Sequence, residues 1–124
     1  MRTVLLAEDE TFVAGFYKKT LESHGVAVSI VSNGEEALQA IKTQHFDLLL
    51  LDLLMPVMDG YQVLAQLKKD KIRIPVTVVL TNLSQPVTKE ECKALGAEDY
   101  IVKSDSDAED VWEKVEKYLP HEGG

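Results

Sequence analysis

The sequence predicts an α/β fold, a five-stranded parallel sheet in the middle of a three-layer sandwich. Two observations carry this. Short apolar runs alternate five times with segments of helical spacing. Two of those runs, 48–51 and 76–80, are apolar at almost every position. A strand wet on one face alternates apolar and polar residues, so continuous runs mark strands covered on both faces.

Each element has its own signal. The first strand is expected over 3–7. Phe12, Val13, Phe16, Tyr17 and Leu21 then recur at three- and four-residue steps and predict the buried stripe of a first helix, with Gly25 as its stop. A second strand over 26–31 leads to Asn33-x-x-Glu36, a helix-start pattern preceding Ala37, Leu38 and Ile41. The third strand, 47–51, is followed by Asp59-x-x-Gln62 and the stripe Val63, Leu64, Leu67. After the strand at 76–80, Thr88-x-x-Glu91 predicts the start of a fourth helix carrying Cys92 and Leu95 inward, with Gly96 beyond it. The fifth strand, 100–102, precedes Ser106-x-x-Glu109 and the clearest stripe in the chain: Ala108, Val111, Trp112, Val115 and Leu119. Elements fill 3–119, so a single domain over 1–120 with a short tail, 121–124, is expected.

Composition narrows the function. The chain has 124 residues, 45% of them hydrophobic, which suffices for a core without staples. Thirteen Lys and Arg against 21 Asp and Glu give a net charge of −8, which opposes direct binding to nucleic acid or an anionic membrane. The lone Cys92 allows no internal disulfide and no Cys-rich zinc site. No apolar run approaches the roughly 20 residues that span a bilayer. A soluble cytoplasmic protein is expected.

In an open parallel sheet, chemistry gathers beyond the carboxyl ends of the strands. Those ends carry Glu8-Asp9, Asp52, Thr81 and Lys103. Asp52 is the sharpest anomaly, set among Leu48 to Leu51 on one side and Leu53-Leu54 on the other. An unpaired carboxylate there costs several kcal/mol unless something neutralises it. Three like charges at one sheet edge call for a proton or a divalent cation. An incomplete oxygen cage of this kind suits Mg2+, which keeps waters and pairs with phosphate. Lys103 adds a fixed positive charge for an anion beside the metal, and Thr81 adds a hydroxyl. Together they fit a phosphoryl acceptor in which a carboxylate attacks phosphorus.

Four stretches in order, Leu6-Ala7-Glu8-Asp9-Glu10, Leu51-Asp52-Leu53-Leu54-Met55-Pro56-Val57-Met58-Asp59-Gly60, Leu80-Thr81 and Leu95-Gly96-Ala97-Glu98-Asp99-Tyr100-Ile101-Val102-Lys103, resemble the receiver domain of bacterial two-component response regulators. The resemblance covers essentially the whole chain. It implies a flavodoxin-like (βα)5 sheet of order 2-1-3-4-5. It implies Asp52 as phosphoacceptor, Mg2+ held by Asp9, Asp52 and the Leu54 carbonyl, with Glu8 contributing mainly through water. Thr81 and Lys103 would bind the phosphoryl group. Thr81 and Tyr100 would form the switch pair, read out on the face of the fourth helix, fifth strand and fifth helix. Implied partners are a sensor histidine kinase or histidine phosphotransfer protein upstream, and a downstream protein target or an output domain outside this sequence. A phosphorylation-dependent homodimer through the readout face is a further implication.

The chain departs from the family pattern at three places. Ser104 follows Lys103 where the family usually has proline; cis peptides are rare outside proline, and a looser loop at 104–106 is expected. Asn82 stands where Ala or Gly is usual and is expected to narrow donor access. Leu54 and Leu83, two residues beyond Asp52 and Thr81, offer no hydrogen bond to attacking water, which predicts a long phosphoryl lifetime. His24, His45 and His121 read as solvated or capping residues, and Cys92 and Trp112 as core.

Three rival readings stand beside this one. An aspartate-nucleophile phosphohydrolase would have a second Asp at position 54, where this chain has Leu54. A flavodoxin-like cofactor carrier would need a Ser-, Thr- or Gly-rich phosphate loop in place of Glu8-Asp9-Glu10. The third is a receiver-like scaffold that signals without phosphorylation.

Overall fold

A computed structural model describes residues 1–70 and 74–121. Five strands alternate with five α-helices: β1 Thr3–Ala7, α1 Thr11–Ser23, β2 Ala27–Val31, α2 Gly34–Thr43, β3 Leu48–Leu51, α3 Gly60–Asp70, β4 Val76–Thr81, α4 Pro86–Ala94, β5 Asp99–Val102 and α5 Ala108–Tyr118. A 3-10 turn, Lys103–Asp105, lies between β5 and α5. All strand pairs are parallel and the order is β2-β1-β3-β4-β5, as the resemblance implies. Of the tail expected at 121–124, His121 is exposed and the remainder lies outside the described residues.

The continuous apolar runs have the reason anticipated for them. Leu48 and Leu50 face one core with Val4, Leu6, Val78 and Leu80, covered by Ala14, Tyr17 and Leu21 of α1 and Val111, Trp112 and Val115 of α5. Leu49 and Leu51 face the other with Leu5, Ala7 and Val79, covered by side chains of α2, α3 and α4. Each successive residue of β3 therefore alternates between two dry layers, and none can be polar without cost. Asp52, the next residue, begins where that double coverage ends.

Three local expectations are corrected. Phe12 and Phe16 do not join the core; they are 89% and 56% exposed, and α1 packs through Ala14, Tyr17 and Leu21 with Val13 at the margin. α4 begins at Pro86 after Gln85, leaving Thr88 inside the helix and buried. Proline at the helix start lacks only an N–H that would be unpaired there. α5 is capped by Asp107, not Ser106: the Asp107 carboxylate accepts the Asp110 N–H at 2.8 Å, and the Asp110 carboxylate accepts the Asp107 N–H at 3.0 Å. The starts at Asn33 and Asp59 are realised as expected. Gly25 and Gly96 both sit at positive φ beyond their helices.

Trp112 is buried and stacks on His24, the residue that closes α1, with ring centroids 4.4 Å apart. Cys92 is buried, and burial pushes its thiol up to about 11, so it is an inert core residue.

β5 is tied to α5 through Asp99, whose carboxylate accepts the Tyr100 N–H and the Tyr118 hydroxyl, the latter at 2.9 Å, with Lys114 nearby. Burial alone would raise this carboxyl, but these partners outweigh burial and hold it below the usual carboxylate range. A depressed folded pKa gives stability that is present above the unfolded value, near 4, and lost as pH falls through the folded value. Tyr118→Phe is therefore expected to cost about 1 kcal/mol at neutral pH and progressively less in acid. Urea unfolding at a series of pH values from neutral to acid measures this; a deficit independent of pH would show that the hydroxyl acts elsewhere.

Candidate functional site

The strand order reverses at β1, whose two neighbours are β2 and β3. Register places Ala7 beside Leu51, so the residues that follow, Glu8 and Asp52, leave the sheet side by side at this reversal. On the other flank Thr81 is in register with Val102, which brings Lys103 to the same edge.

The Lys103 ammonium reaches across this edge and donates to both acids. It contacts Glu8 Oε1 and lies 2.8 Å from Asp52 Oδ2. All three side chains are largely buried, Glu8 being only 2% exposed. Burial would lower the lysine, but its contacts with Asp52 and Glu8 hold it above the ordinary range. Burial pushes Glu8 up to about 7, against the pull of the same ammonium. Asp52 Oδ1 also accepts the Leu54 N–H at 3.2 Å, which fixes the carboxylate on the loop that carries it.

Glu8, exposed Asp9 and Asp52 each bring a carboxylate oxygen within 4.8 Å of the others. One ammonium cannot balance three carboxylates. The remaining demand is for positive charge bound by hard oxygens, which fits Mg2+ better than a metal preferring nitrogen or sulfur. Thr81 Oγ1 is fully buried and has no hydrogen-bond partner among the described residues. An unpartnered hydroxyl of this kind costs about 1–3 kcal/mol.

The loop over 52–59 is held by close backbone contacts. Gly60 N–H donates to the Leu53 carbonyl at 3.0 Å, and a Cβ at Gly60 would fall 2.4 Å from the Asp52 carbonyl oxygen. Gly34 N–H donates to the Met58 carbonyl at 2.9 Å, anchoring the same loop to the start of α2. Between these anchors Val57 adopts φ 69°, a left-handed conformation that a β-branched residue reaches only under constraint. Leu54 is exposed and Leu83 half-buried.

Tyr100 is half-buried; its hydroxyl donates to the Leu83 carbonyl at 2.6 Å, and Lys89 Nζ lies 5.8 Å from its ring centre. The Lys103–Ser104 peptide is trans. The loop expected to be loose is instead tied: Ser104 N–H donates to Asn82 Oδ1 at 3.1 Å, and Ser106 N–H to the Lys103 carbonyl. Sequence reasoning treated Asn82 and Ser104 as separate departures. The signal that they belong together was chemical, since one is a side-chain acceptor and the other supplies an N–H that proline lacks.

The strand order and the acid cluster beside a lysine define the receiver class. The family description "Response regulator receiver domain" matches residues 4–116, and the chain belongs to that family. The alkaline phosphatase synthesis transcriptional regulatory protein PhoP of Bacillus subtilis is 34% identical over 102 residues, covering 82% of this chain and 42% of its own length. The chain thus spans about two-fifths of the length of the curated relatives it matches. Among solved structures, a response regulator receiver domain from Francisella superposes with TM-score 0.88 at 29% identity, covering 95% of this chain and 96% of the other. The response regulator TrrA of Thermotoga maritima, in complex with Mg2+ and BeF, gives 0.84 at 30% identity, covering 96% and 100%.

Proposed function

We propose that this receiver is the phosphoacceptor switch of a two-component relay, with Asp52 as acceptor. The observation that carries the reading is the Lys103 ammonium seated on Asp52 and Glu8, at the same sheet edge as the buried Thr81 hydroxyl, which has no partner among the described residues. An Asp52 carboxylate oxygen forms a bond to phosphorus as the P–N bond of a phosphohistidine donor breaks. The donor imidazole keeps the electron pair and takes up a proton. Lys103 then faces the phosphoryl oxygens, and Thr81 Oγ1 gains the partner it lacks.

Glu8, Asp9, Asp52 and the Leu54 carbonyl would hold Mg2+, which when bound supplies positive charge to the phosphoryl oxygens. Thr81 and Tyr100 carry the change to the face of α4, β5 and α5. A movement of Thr81 toward the phosphoryl group alters the loop whose Leu83 carbonyl holds the Tyr100 hydroxyl. That face would then engage a downstream protein, a second copy of the chain or an output domain. The upstream partner is a sensor histidine kinase or a histidine phosphotransfer protein, met in the cytoplasm. No described helix is long and apolar enough to cross a membrane. The protein turns over no external substrate in this reading: the phosphohydrolase alternative lacks a carboxylate at position 54.

Intact mass after incubation with acetyl phosphate tests the reading. One added phosphoryl group is expected with Mg2+ and none when the metal is chelated. No addition under either condition would favour a scaffold that signals without phosphate.

Lifetime is a second readout. Leu54 and Leu83 give attacking water no hydrogen-bond partner, so hydrolysis is expected to be slow. Leu54→Asn with Leu83→Glu is expected to shorten the lifetime by about ten-fold, equivalent to one ordinary hydrogen bond of about 1.4 kcal/mol in the transition state. An unchanged decay would remove both residues from that role.

A further inference from the structure

The two loops flanking the pocket are joined by a hydrogen bond that depends on both departures from the family pattern. Asn82 Oδ1 accepts the Ser104 N–H at 3.1 Å across 22 positions of sequence. Proline at 104 would have no N–H to donate, and alanine or glycine at 82 would have no acceptor. Each partner sits one residue from a group of the pocket: Asn82 follows Thr81, and Ser104 follows Lys103. Ser104 also lies in the 3-10 turn that begins at Lys103, so a tether on its N–H acts on the backbone from which the ammonium extends.

We propose that Asn82 is a positioning residue, whose side-chain carbonyl, through the Ser104 N–H, fixes the backbone of Lys103 and couples it to the loop after Thr81. This rests on the phosphoacceptor reading for its consequence, though not for its existence. The sequence alone suggested that Asn82 acts by bulk, narrowing access to Asp52. The two roles are separable because leucine has similar size and no acceptor, whereas aspartate keeps an acceptor oxygen at the same reach.

The experiment combines amide hydrogen exchange at Ser104, followed by NMR on the full chain, with initial rates of acetyl phosphate labelling in Mg2+. The variants are Asn82→Leu, Asn82→Asp, Ser104→Pro and the double variant Asn82→Leu with Ser104→Pro. Loss of one exposed hydrogen bond corresponds to roughly a 2- to 12-fold change. Asn82→Leu is expected to speed Ser104 exchange and to slow labelling within that range. Asn82→Asp is expected to return exchange to within about two-fold of the parent. The double variant is expected to label no more slowly than the slower single variant, because the two substitutions break one bond.

Ser104 exchange that is unchanged by Asn82→Leu overturns the tether. Faster exchange with unaltered labelling, or rate losses that multiply in the double variant, overturns its coupling to Lys103. If the parent takes no label at all, the phosphoacceptor reading and the coupling fail together, while the exchange arm still decides whether the tether exists.

Discussion

Asp52→Asn is expected to abolish acyl-phosphate labelling while leaving the fold intact. The side chain is a near-isostere, so the Leu54 N–H keeps an acceptor and Lys103 keeps Glu8. On the proposed function, what disappears is the anionic oxygen that would form the bond to phosphorus, and a neutral amide is a poor substitute. The variant should take no phosphoryl group under conditions where the parent takes one, and thermal unfolding should confirm that it is folded. Glu8 and Asp9 carry carboxylates close by, so the comparison also tests which acid reacts. Labelling at the parental level would move the acceptor away from Asp52.

Gly60→Ala is the second large effect, and here two physical terms have opposite sign. Gly60 opens α3, and helix propensity favours alanine by up to about 1 kcal/mol. The added Cβ would stand 2.4 Å from the Asp52 carbonyl oxygen and 2.8 Å from the Leu53 Cα. Both obstacles are backbone atoms, so no rotamer change relieves them. Overpacking of this sort costs about 1–3 kcal/mol, and the clash is expected to win, lowering Tm by several degrees. Relief of the clash must separate the start of α3 from the backbone of Asp52 and Leu53, which disturbs the loop that seats the Asp52 carboxylate. On the phosphoacceptor reading, labelling should therefore fall by at least about ten-fold even where the variant is fully folded, since small misplacements of a reacting group are costly. A more stable, fully active variant would show that the loop moves freely after all.

Much of this was legible along the chain because the physical constraint is local. Leu48 to Leu51 are apolar at every position because each faces one of two dry layers, and that pattern needs no knowledge of the partners. Asp52 stands out for the same reason, at the point where the coverage stops. The face of α1 was less legible. Phe12 and Phe16 lie on a stripe adjacent to Ala14, Tyr17 and Leu21, and periodicity alone does not say which of two neighbouring stripes turns inward. The start of α5 was misplaced by one residue because Ser106 and Asp107 are both competent caps, and only geometry shows that Asp107 closes the pair with Asp110. The double grip of Lys103 and the bond from Ser104 to Asn82 join residues remote in sequence, where no spacing rule reaches.

The hydroxyl of Thr81 has a thermodynamic meaning beyond its place in the pocket. Buried with no hydrogen-bond partner among the described residues, it raises the free energy of this conformation by about 1–3 kcal/mol. A phosphoryl oxygen within its reach would remove that penalty only in the modified protein. The difference corresponds to a shift of roughly 5- to 150-fold in the ratio of two conformations. On the proposed function, this one hydrogen bond supplies part of the bias that a signal must deliver.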